Sequence, residues 1–120
     1  IPGSILVYRA DPEARILFAT DTLIHLAGCT SWEDFIQYSQ GSYRNIVVPE
    51  DWKYLLEERK QMQSSVKDEK KIVFLSYRIR TKLGTLKRVI AAGHYSMNAF
   101  HGGVFYVSLF DKETLVVKRQ

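Results

Sequence analysis

Apolar and polar residues alternate most clearly between Ile72 and Tyr95, and the rest of the chain is read outward from that stretch. Val73, Leu75, Tyr77 and Ile79 fall on one face, while Ser76, Arg78 and Arg80 fall on the other, the period-two pattern of a half-buried strand. A turn at Lys82-Leu83-Gly84 leads into a second strand, Leu86 to Tyr95, whose middle carries the small residues Ala91, Ala92 and Gly93. Small side chains leave room above a sheet, so this strand is a candidate pocket floor.

Upstream, Ile5 to Tyr8 and Ile16 to Ala19 are short apolar runs separated by Ala10-Asp11-Pro12-Glu13, which reads as an antiparallel hairpin. At Thr20-Asp21 a capping residue precedes Leu23, Leu26 and Ala27 at helical spacing, with Gly28 placed to end the helix. Ser31 caps a second short helix whose first turn carries Glu33 and Asp34, and Gln40-Gly41-Ser42 closes it. Pro49-Glu50-Asp51 is a strong helix start. The helix runs to about Ser64, with Trp52, Leu55, Leu56 and Met62 on one face and Glu57, Glu58, Lys60 and Gln61 outside it. A polar, charged connection precedes the central pair of strands, and Val104 to Phe110 is a final strand behind Phe100-His101-Gly102-Gly103. The predicted fold class is α+β: a five-stranded antiparallel sheet with short helices and one longer helix on one face. Ile72 and Phe74 then lie on the outer face, where a flanking segment or a partner is expected to cover them.

Composition narrows this picture. A chain of 120 residues, 46% hydrophobic, supports one domain with a single core. We read residues 1–120 as that domain, with 111–120 as the start of a linker. No apolar run reaches the roughly 18 residues of a membrane span, and Ile1-Pro2-Gly3-Ser4 has no signal-peptide character. The chain lacks an initiator Met and is read as part of a longer protein, with a cytoplasmic location expected because its one cysteine, Cys29, allows no internal disulfide. Net charge is only +4 and both signs are interspersed. Arg78, Arg80, Lys82, Lys87 and Arg88 flank the central turn without the aromatic interleaving of a single-strand binder, so nucleic-acid binding is not expected.

The order of these elements and several local strings resemble the PAS sensor-domain family, over nearly the whole chain and in particular its bacterial signalling branch (the PAS fold-3 type). Tyr77-Arg78-Ile79-Arg80-Thr81-Lys82-Leu83-Gly84 is similar to the family's Y-R-x-R-x-K-D-G, and Val48-Pro49-Glu50-Asp51 to its H-P-x-D. Thr20 to Gly28 resembles an N-x-x-x-x-x-x-x-G stretch, and Phe110-Asp111-Lys112-Glu113 sits where the family closes its last strand with D-I-T. Val48, Leu83, Thr20 and Lys112-Glu113 depart from those patterns.

The resemblance implies a non-catalytic sensory module, a homodimer covalently linked to an output domain such as a diguanylate cyclase or a histidine kinase. The candidate pocket residues are Phe18, Leu26, Leu56, Tyr77, Ile79, Ala92 and His94, and Asp111 is the candidate signal exit, continuing through Thr114 to Lys118. No cofactor is predicted, although an unknown small molecule remains open as a ligand. The region corresponding to the flavin-reactive N-C-R-F string reads Tyr43-Arg44-Asn45-Ile46, and Trp52 to Ser64 holds no histidine for a haem. Cys29 is read as a small buried or half-buried hydrophobe and His25 as a solvent-facing residue. His25, His94 and His101 fit no zinc spacing, and no nucleophile motif or Walker loop is present. Two other readings stand beside ligand sensing: a dimerisation or relay domain whose pocket is plugged by Phe18, Tyr77 and Tyr95, and a small enzyme built on His94.

Overall fold

The structure, a computed structural model, describes residues 3–64 and 71–112. Its strands are β1 (Ser4–Arg9), β2 (Ile16–Ala19), β3 (Val73–Arg80), β4 (Leu86–Asn98) and β5 (Gly102–Asp111). Between β2 and β3 come α1 (Asp21–Leu26), α2 (Trp32–Ser39), a 3-10 turn at Tyr43–Asn45 and α3 (Pro49–Ser64). All strands join one antiparallel sheet in the order β2-β1-β5-β4-β3. The two hairpins therefore meet through β1 and β5, and the α+β architecture expected from the sequence is the one observed.

The two short helices start where a side chain can accept an orphan backbone N–H. Ser31 Oγ accepts from Asp34 N at 3.1 Å, and Thr20 Oγ1 accepts from Leu23 N at 3.4 Å. Thr20 does more than cap: it also accepts from Ile5 N at 3.0 Å, tying α1 to β1. Thr20→Ala is accordingly expected to lower the unfolding free energy by about 1 kcal/mol, while Thr20→Ser keeps most of it. Urea melts read both values, and an unchanged Thr20→Ala midpoint would dismiss the cap.

The β3–β4 turn tolerates Leu83 because other residues hold it. Gly84 has φ +90°, Thr81 and Thr85 hydroxyls lie 2.7 Å apart, and Leu83 is 80% exposed. The β4–β5 hairpin extends past the expected end at Tyr95. Asn98 Oδ1 accepts from Phe100 N at 2.8 Å and His101 N at 3.1 Å, and Gly102 takes φ +73°, so the ladder closes around an Asx turn.

The core lies between the helices and one face of the sheet. Register fixes which side chains share it: Tyr77 pairs with Val89, Leu75 with Ala91 and Val73 with Gly93, and Tyr8, Phe105 and Tyr95 fall in one inner row. Three phenol rings and Phe105 fill the centre, with Tyr8, Tyr43, Tyr77 and Phe105 each almost fully buried.

Candidate functional site

Helix α3 crosses the inner face of the sheet and leaves a small cavity beneath it. Leu55, Arg59 and Met62 form its helical wall, spaced so that one side of α3 faces the sheet. The sheet supplies Leu75, Tyr77, Ala91 and Gly93 from β3 and β4, and Tyr8 and Phe105 from β1 and β5. Among the described wall residues only Arg59 carries a charge. The cavity measures about 20 Å³, close to the space one water molecule needs.

Arg59 is 4% exposed. Its guanidinium carbon sits 4.9 Å from the centre of the Phe105 ring and 5.5 Å from both Tyr8 and Trp52. These π faces attract a cation and offset part of its desolvation. One nitrogen, Nη2, donates to the Asp11 carbonyl oxygen at 3.2 Å. Nε and Nη1 are buried and have no hydrogen-bond partner among the described residues. Burial pulls the Arg59 pKa down and its neighbours Tyr8 and Asp11 act in the opposite direction, but an arginine stays charged at every accessible pH. The Asp11 carboxylate is engaged elsewhere, with Arg9 at 3.5 Å and the Arg15 amide at 3.2 Å.

The phenols around this cation are neutral. Burial pushes Tyr8 up to about 12, with Arg59 opposing the shift. Burial likewise raises Tyr43 and Tyr77, whose hydroxyls meet at 2.7 Å. They supply hydrogen bonds and ring faces, not a counter-charge.

Of the residues the sequence proposed for a pocket, Tyr77 lies in this wall. The others lie elsewhere. Ala92 pairs with Phe74 and Ser108 on the outer face, because successive residues of β4 point to opposite sides and it is Ala91 and Gly93 that face inward. His94 is on that outer face too, its ring stacked on Tyr106 at 5.1 Å and 12°. Ile79 is buried on the inner face beside Val47, one inward position beyond Tyr77. Leu26 and Leu56 are half-buried at the edge of the core, and Phe18 is 51% exposed. The expected plug therefore has different members: Phe18 is outside, Tyr95 packs on Phe105 at 5.3 Å, and Tyr8, Tyr43 and Trp52 join the filling.

Arg59 escaped the sequence reading, although Trp52, Leu55, Arg59 and Met62 are spaced to share one helix face. The signal was a charge in the middle of an apolar stripe. Cys29 is 3% exposed, with its thiol pKa raised by burial first and by Asp34 second, and His25 is exposed. Asp111 ends β5, paired with Val89 and 3.7 Å from Lys87 Nζ.

No protein-family model matches the sequence, and no curated protein matches it. Solved structures do match its shape. A PAS domain from a two-component sensor histidine kinase superposes with a TM-score of 0.68 at 11% identity, over 92% of this chain and 85% of that one. A PAS domain from Desulfitobacterium hafniense gives 0.67 at 16% identity, over 92% and 93%. This chain has the PAS fold. A light-oxygen-voltage domain studied with a flavin analogue is also similar, with a TM-score of 0.58 at 10% identity over 98% of this chain and 86% of that one.

Among the described residues, the cavity beneath α3 does not present a flavin-sized space. Its cavity of about 20 Å³ is far below the roughly 300 Å³ at which ordinary ligand pockets begin. Cys29, the only cysteine, lies outside the cavity wall. Among the described residues no group of three or more His, Cys, Asp or Glu side chains is placed to hold a metal ion, and no helix is long and apolar enough to cross a membrane.

Proposed function

We propose that this chain is a non-catalytic sensory and interaction module of a larger bacterial, cytoplasmic signal-transduction protein, acting as a homodimer linked to a C-terminal output domain. One observation carries the reading. The cavity under α3 is walled on its other side by β5, and β5 runs from Phe105 in that wall straight to Asp111 near the end of the described chain. A ligand or partner that favours one packing of α3 on the sheet shifts the population of states, and β5 is the element through which the shift leaves. Asp111 is the exit residue in this scheme. The continuation through Thr114 to Lys118, with most of the 111–120 linker, lies outside the described residues.

A second reading, a dimerisation and relay domain without a ligand, is favoured by the aromatic filling that reduces the cavity to about 20 Å³. The enzyme reading draws no support from His94, which stacks on Tyr106 on the face away from the cavity. The relay is tested by joining the chain to a diguanylate cyclase or histidine kinase output and exchanging Asp111 for Ala. Altered output with the domain still folded is the expected result; unchanged output with intact folding removes the exit role.

A further inference from the structure

A charge that cannot be neutralised by losing its proton is held here with two nitrogens unpaired among the described residues. Arg59 Nε and Nη1 are buried without a partner among the described residues, and the guanidinium forms part of the cavity wall. Leaving buried donors unpaired is costly, and more so for charged groups. Ring faces at 4.9 and 5.5 Å compensate the charge in part, but they do not accept the N–H bonds of Nε and Nη1. Oxygen acceptors would pair these donors, and one negative charge would also balance the cation.

We propose that the cavity binds a small monocarboxylate whose oxygens accept from the Arg59 guanidinium, the carbon end lying against Leu55, Ala91 and Val107. Guanidinium and carboxylate match in shape as well as charge. A phosphate or other dianion matches poorly, because the wall offers one cation and is otherwise aromatic or aliphatic. At about 20 Å³ the cavity as it stands has room for about one water molecule, so a carboxylate of a few heavy atoms enters only as the wall gives way, and Met62, unbranched and adaptable, is the wall residue best able to do so. The inference deepens the sensory reading by naming its ligand class and rests on that reading for its signalling consequence.

The test uses the full chain and formate, acetate, propionate and butyrate, with sodium chloride and phosphate at matched ionic strength. The NMR signal of the Arg59 Nε–H group is followed beside the melting temperature. We expect a saturable shift of that signal and a rise in melting temperature with at least one short carboxylate and neither control. Arg59→Met, which keeps the side-chain length and removes the cation, is expected to weaken binding about tenfold or more. The site is overturned if no carboxylate shifts the wild-type Nε–H signal, or if chloride gives the same response. It is also overturned if the Nε–H signal of the ligand-free chain already reports a hydrogen bond to a carboxylate, since the chain then supplies its own counter-charge. Carboxylate binding without a response of a fused output leaves the site standing and sinks the sensory reading. A fused output that Asp111→Ala alters, with no carboxylate binding, does the reverse.

Discussion

Phe105→Ala is expected to lower the unfolding free energy by about 3–5 kcal/mol, the cost of deleting a fully buried phenylalanine ring. Phe105 is 1% exposed and packs on Tyr8 at 5.4 Å and Tyr95 at 5.3 Å. It is also the ring nearest the Arg59 cation, at 4.9 Å, so truncation both opens a void and strips a π face from a desolvated charge. Small domains have only about 5–15 kcal/mol of stability in total, and the melting temperature is expected to fall by more than about 10 °C. Phe74→Ala is the internal control, because Phe74 is 69% exposed on the outer face of β3; there the change is expected within about 1 kcal/mol. Guanidinium melts of both variants decide the matter: similar losses at the two sites would mean that the inner face is not the core.

The same difference between inner and outer face explains how far the sequence could be read. Caps at Thr20 and Ser31, the Pro49-Glu50-Asp51 start and the glycine-bearing turn at Gly84 are local signals, and each produced the expected element boundary. Strand facing is also local once one residue is anchored. The turn pairs Arg80 with Leu86, so Tyr77 faces Val89 and the inward parity continues through Ala91 and Gly93, which places Ala92 and His94 outside. Treating Ala91, Ala92 and Gly93 as one small-residue patch ignored that alternation. Arg59 was hidden by a different assumption, that charges on an amphipathic helix mark its wet side. Its burial depends on Phe105, which lies 46 residues further along the chain. No local pattern announces that contact. The resemblance to PAS sequences located the elements but carried no information about a buried arginine, and the space left by the aromatic rings is a property of packing rather than of spacing.

Acid is expected to unfasten α3 from β3 through a single carboxylate. Asp51 stands in the first turn of α3, where the helix dipole already favours an anion. Its Oδ2 accepts from Arg78 N at 2.8 Å and from Arg78 Nε at 2.9 Å, and its Oδ1 accepts from Arg78 Nη2 at 2.9 Å. These hydrogen bonds to Arg78 hold the carboxyl below its usual range, against the opposing effect of desolvation. A depressed folded pKa means that the unfolded chain takes up the proton first. The contribution is therefore complete above the unfolded value of about 3.9 and is lost as pH falls below it through the folded value. Three charge-assisted bonds, discounted because Arg78 is 35% exposed, place the neutral-pH cost of Asp51→Asn at about 2 kcal/mol. The gap between wild type and variant is expected to be constant from pH 7 to about 5 and to close below about 4. Asp34, held low chiefly by its hydrogen bond to Lys82, keeps a residual acid slope in the variant. Urea melts across pH 2.5 to 7 measure the gap directly; wild-type and Asp51→Asn curves that stay parallel to the lowest pH would show that the Asp51–Arg78 clasp contributes nothing that protonation can remove.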